Sequence, residues 1–183
     1  MIKQFNFKLL FIVFLLFGLT SSCEDKKSND YGSISIQFNY KKETIIGIVY
    51  NPAADKLFYA VKNMGAFLND QNISVSSSDT LSKSVLATGF PYVHDKYYDM
   101  SFPIFKDFYD KTQGIRRLGV ASLDLCFVAM GRFDGFYEFN LKPWDICAGV
   151  IIAKEAGAIC TDWNNSSLPF SGCRILCSNG FIH

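Results

Sequence analysis

The stretch Phe136-Tyr137-Glu138-Phe139-Asn140-Leu141-Lys142-Pro143-Trp144-Asp145-Ile146-Cys147-Ala148-Gly149 holds the key to this chain. Its first part is aromatic and strand-like and carries Glu138. A Pro-Trp corner follows, and small residues from Ile146 onward read as a helix running to Ala156 and closed by Gly157. Asp145 stands at the helix start, where a carboxylate either accepts amides of the first turn or projects as a metal ligand. Spacing alone reads Asp145 as an N-cap. Two acids flanking a strand-to-helix turn also suit a site for phosphate and a hard cation.

Further elements read outward from this turn. Upstream, Phe133–Phe139 is a strand, and Ser122–Met130 is a buried helix ended by Gly131. Tyr97–Lys111 places aromatics at helical spacing (Phe102, Phe105, Phe108, Tyr109), an amphipathic helix whose stripe reads as core. Val85–Ala87 reads as a short strand after a capped turn at Asp79–Ser82. Nearer the start, Ser33–Tyr40 alternates with period two, and Thr44–Tyr50, Leu57–Val61 and Ala66–Leu68 continue an antiparallel meander. Downstream, Ala158–Thr161 and Arg174–Cys177 read as two more strands. Strands and helices in this order indicate a layered α/β or α+β sandwich.

Composition narrows the function classes. The chain has 183 residues, 49% hydrophobic and 16% aromatic, which suits one domain with a sizeable core and excludes a disordered chain. A net charge of +1 leaves no electrostatic footprint for nucleic acid. The N-terminus differs in character. Lys3 and Lys8 precede the apolar run Leu9–Leu19, and Thr20-Ser21-Ser22-Cys23 follows, the outline of a secretory signal over residues 1–22. Small residues ending in Cys23 resemble a bacterial lipoprotein processing site, which would export the chain and attach it to a membrane. The alternative is a chance apolar start on a cytoplasmic chain. Residues 23–32 then read as a polar tether and 33–183 as the folded domain.

Six cysteines do not form a disulfide framework here. With Cys23 set aside, Cys126, Cys147, Cys160, Cys173 and Cys177 lie in apolar segments and read as buried free thiols, which suits a reducing compartment better than export. Cys173-x-x-x-Cys177 has no second pair near it, and the two histidines are remote, so zinc is not expected.

Trp144-Asp145-x-x-Ala148-Gly149, followed by Glu155-Ala156-Gly157 and Thr161-Asp162, resembles the C-terminal signature of the inositol monophosphatase family. Other blocks fall in that family's order: Gly47–Pro52, Gly65–Asn69, Arg116–Cys126, Gly131–Gly135 and Ser178–Gly180. The resemblance implies a partial αβαβα sandwich of the inositol monophosphatase and sugar phosphatase type. It implies a Mg²⁺-dependent hydrolase acting on a small-molecule phosphate monoester of inositol or a related polyol or sugar, and commonly a homodimer. Matched by motif, Asp145 is a metal ligand. Glu138 accepts hydrogen bonds from substrate hydroxyls, and Gly119, Val120 and Ala121 line the polyol site with backbone. Family members usually carry Ser or Thr where this chain has Val120, so a hydroxyl contact is lost.

One expected motif is missing. Family members carry a Glu and then Asp-Pro-x-Asp-Gly-Thr ahead of the segment matching Ser33–Ile36, and these supply most of the metal ligands. No Asp-x-x-Asp-Gly-Thr occurs in these 183 residues. The expectation is therefore an impaired phosphatase with no complete catalytic set. The alternative is a non-catalytic, lipid-anchored remnant or binding module.

Overall fold

The computed structural model describes residues 32–40, 43–169 and 173–183. The signal-like segment 1–22, Cys23 and the tether as far as Tyr31 lie outside the described residues.

Five strands form the first sheet in chain order, all antiparallel: β1 (Ile34–Tyr40), β2 (Glu43–Asn51), β3 (Lys56–Val61), β4 (Ala66–Leu68) and β5 (Gln71–Asn72). The β2–β3 connection is a 3-10 turn at Pro52–Ala54. The Asn51 side chain accepts the Ala54 N–H at its start, and Asp55 takes a left-handed backbone (φ 48°) at its end. The second sheet is mixed, in the order β7 (Gly114–Arg116), β6 (Val85–Thr88), β8 (Gly135–Leu141), β10 (Cys173–Ser178), β9 (Ile159–Thr161). β6 runs parallel to β7 and β8, while β10 is antiparallel to β8 and β9.

Helices α1 (Lys96–Lys111), α2 (Ala121–Ala129) and α3 (Pro143–Glu155) complete the described fold. α2 and α3 pack together between the sheets, and α3 lies directly on β2 and β3. Both helices are buried almost all round, which explains their uniformly apolar, small-residue sequences. α1 covers the far face of the second sheet. Its Tyr97 stacks on Phe139 and its Phe108 ring lies tilted against Tyr137, while Glu138 between those two β8 residues points the other way, toward α2. The result is four layers, β–α–β–α, which fits the expected partial αβαβα sandwich.

Most elements stand where the sequence places them, with three corrections. β5 and β7 are too short for periodicity to mark, and pairing with their neighbours defines them. α3 begins at Pro143 rather than Ile146, because proline is pre-set for the first helical position and loses no hydrogen bond there. The aromatic stripe of α1 is only half core. Phe105 and Phe108 face inward, but Phe102 is 46% and Tyr109 57% exposed, since an outermost helix has one sheet to cover and more aromatics than that contact holds.

Close packing of α3 on the first sheet depends on Gly47. A Cβ at this position would meet the Ala148 carbonyl oxygen and Ile151 Cγ2, both at 2.5 Å. On the opposite face of that sheet, Ile36, Ile48, Tyr59 and Phe67 lie side by side in register, and no described helix covers them. Gly47→Val is expected to force α3 off the sheet and lower stability by ~1–3 kcal/mol or more, read from the urea midpoint. A variant as stable as the parent would show that the β2–α3 contact is looser than described.

Candidate functional site

The turn from β8 into α3 is closed by two hydrogen bonds. The Lys142 N–H donates to Asp145 Oδ2 at 2.7 Å, and the Asp145 N–H donates to the Lys142 carbonyl at 3.0 Å. Lys142 is the N-cap, Pro143 and Trp144 the first two helical residues, and Asp145 the third. Asp145 is thus not the N-cap that spacing suggests. It reaches back to the cap from within the first turn, in the manner of the acidic partner of a capping box. The helix dipole favours a carboxylate there.

Glu138 sits on β8 and points to the α2 side. β6 runs alongside in parallel register, pairing Thr88 with Tyr137, so Gly89 falls abreast of Glu138. A Cβ on Gly89 would run into the Glu138 carboxylate, so this glycine is what opens the space that the acid occupies. The first turn of α2 lies near it, since the charge of Glu138 acts on Asp124 there. The Val120 carbonyl accepts the N–H groups of Leu123 and Asp124, both at 3.0 Å, with exposed Gly119 before it and Ala121 as the first helical residue.

Electrostatics join these parts. Burial, assisted by the negative charge of Asp145 and opposed by Arg117, raises Glu138 to about 7. Burial, then the charge of Glu138, raises Asp124 to about 8. Asp124 is 1% exposed and its Oδ1 has no hydrogen-bond partner among the described residues. A carboxylate so placed is stable only with a proton. Glu138 therefore lies within electrostatic reach of Asp145, Asp124 and Arg117. The burial of Asp124 against a second acid is a tertiary fact without a local signal.

The donor set does not fit a complete Mg²⁺ site. Among the described residues, no group of three or more His, Cys, Asp or Glu side chains is arranged to hold a metal ion. Asp145 already accepts one amide, and Asp124 favours its protonated form. Mg²⁺ demands near-octahedral oxygen coordination, which Glu138 and Asp145 cannot complete. A cavity of about 260 Å³ opens elsewhere, between the β2–β3 ends and α3, and is lined by Thr44, Lys62, Cys147, Val150 and Lys154. Neither Glu138 nor Asp145 lines it.

The two helix starts, Gly119-Val120-Ala121 and then Asp145 in chain order, carry a pattern with known counterparts. The model of the "Inositol monophosphatase family" matches residues 26–183. The chain belongs to the inositol monophosphatase family. It is 49% identical over 130 residues to a "Putative Nus factor SuhB" of Neisseria meningitidis, covering 71% of this chain and 50% of that protein. It is 46% identical over 138 residues to an "Inositol-1-monophosphatase" of Synechocystis, covering 75% and 48%. An inositol monophosphatase structure from Anabaena superposes with a TM-score of 0.79 at 40% identity, over 82% of this chain and 61% of that one. The chain spans about half the length of the curated relatives it matches.

Two outcomes test this site. Asp145→Ala should cost ~0.5–2 kcal/mol by thermal melting, and Asp145→Asn, which keeps an oxygen for the Lys142 N–H, should be nearly neutral. Equal losses in both variants would show that charge rather than capping governs the position. For pH, both acids are raised on folding, so the folded chain binds more protons than the unfolded chain. Stability should fall as pH rises from the ordinary carboxyl range toward about 8, and level off above it. Asp124→Asn should flatten that slope in urea melts at pH 5, 7 and 9. An unchanged slope would contradict a protonated Asp124.

Proposed function

We propose that this chain forms the polyol-binding wall of a phosphate-monoester hydrolase site, and that it does not by itself supply the ligands for catalytic Mg²⁺. The observation that carries this reading is the placement of Glu138. Its carboxylate emerges beside the α2 start and within reach of Asp145, in space left open by Gly89. When bound in such a site, magnesium would neutralise the phosphate and activate water. The residues of this chain do the rest of the recognition. Ionised Glu138 accepts a hydrogen bond from a substrate hydroxyl, and near its titration it answers small changes in pH. Backbone of Gly119–Ala121 lines the polyol, with amides at the α2 start favouring negative charge. Arg117, exposed and acting on Glu138, adds a positive field near the entrance. Family membership and the inositol-1-monophosphatase relative support inositol monophosphate or a related polyol or sugar phosphate as the substrate class.

A second reading is a binding module without catalysis. It is favoured by the lack of any three-ligand metal group among the described residues. Attachment to a membrane through Cys23 belongs to this reading and rests on sequence alone.

The experiment has two arms, both on the full chain. Phosphate release from inositol 1-phosphate, with and without Mg²⁺, is expected to be negligible. Turnover in the usual range of roughly 1–1000 per second would overturn the incomplete-site reading. Inositol 1-phosphate is also titrated into labelled protein and followed by NMR. Shifts centred on Glu138, Asp145 and Gly119–Ala121, lost in Glu138→Ala, are expected. Binding elsewhere, or none, would overturn the polyol-wall assignment.

A further inference from the structure

Among the described residues, Cys160 and Cys177 bring two thiols together outside the site. They stand directly opposite each other on β9 and β10, in antiparallel register. Their sulfurs are 3.1 Å apart, and the residues are 5% and 0% exposed. Directly opposed residues of an antiparallel pair have Cα separations of about 4.5–5.5 Å, inside the range of about 4.4–6.8 Å that a disulfide needs. An approach of about 1 Å between the sulfurs would complete the bond.

We propose that Cys160 and Cys177 are a redox-convertible thiol pair, which an oxidising small-molecule disulfide closes into a bond riveting β9 to β10. Geometry sets the order of events. β9 is a three-residue strand at the end of the sheet, paired along its length only with β10 and bridged on its outer side only at Thr161–Ser167, so it is the element that can open locally. Opening exposes Cys160 first. Its thiolate attacks the small-molecule disulfide, forming a mixed disulfide and releasing one small thiol. Cys177 then attacks the Cys160 sulfur and releases the second thiol. The balance is two protein thiols and one small disulfide in, one protein disulfide and two small thiols out.

Nearby bonds hold the strands in place for closure. The His183 ring sits between Thr161 Oγ1 and Ser178 Oγ at 3.0 Å each, bracketing the residues next to the two cysteines. Burial lowers the pKa of His183, favouring the neutral ring. The contact with Cys160 and burial together hold the Cys177 thiol well above its ordinary range, so the closed strands react slowly. In a reducing compartment the pair remains two thiols. In an oxidising one it is the first pair of the described cysteines to close. Cys126 and Cys147 lie on the two helices between the sheets.

The test treats the full chain with oxidised glutathione and maps the product by non-reducing peptide mass spectrometry. The expected product is about 2 Da lighter than the reduced chain and joins Cys160 to Cys177, reversibly with dithiothreitol. Its melting temperature should exceed that of the reduced form by at least about 5 °C, because the bond closes a sixteen-residue intervening loop. Cys160→Ala should prevent both the bond and the shift. Mapping of the unsubstituted chain stands alone if that variant fails to fold. Failure to form a bond, a bond to any other cysteine, or an oxidised form no more stable than the reduced one would overturn the proposal.

Discussion

Everything else in this molecule depends on how closely α3 can approach its neighbours on two sides. Gly47 on β2 lets the helix backbone at Ala148 come against the first sheet. On the other side, Gly149 lets α3 meet α2, where a Cβ would stand 2.8 Å from the Leu125 side chain. Two helices with small residues can thus occupy one layer between two sheets, at interior density. The same approach fixes where α3 begins. The helix start brings Asp145 up beside the end of β8, and the α2 start takes the facing position. Core packing and site geometry are consequences of one contact.

The acids show how the interior changes the chemistry of ordinary side chains. Asp145 lies near the surface, held by the Lys142 amide and the helix dipole. Glu138 is drawn partly inside, and Asp124 wholly so. Each step inward raises the cost of charge, and each ionised acid makes the next harder to ionise. Arg117 acts on Glu138, and the charge of Glu138 acts in turn on Asp124. This pair retains protons near neutral pH. It would release them to a cation only with further oxygen ligands than these residues provide.

Much of the fold was legible because its signals are local. Alternation in Ser33–Tyr40, the glycine stops at Gly131 and Gly157, and the ordered motif blocks each mark an element within a few residues. Glu138 and Asp145 were legible as a pair around one turn. The exposure of Phe102 and Tyr109 was not, because helical spacing reports amphipathicity without saying how much sheet the helix has to cover. β5 and β7 were missed because two or three residues carry no period.

By itself, the sequence determined the order of strands and helices, the family, and which acids lie near the strand-to-helix turn. Tertiary structure alone decided the rest. It set Asp124 of helix α2 beside Glu138 of strand β8, made Gly89 the open space for that carboxylate, and brought Cys160 against Cys177 across seventeen positions. The physical reason is the same in each case. Burial and contact between segments distant in the chain arise only when layers pack, and neither composition nor periodicity encodes which side chains then meet.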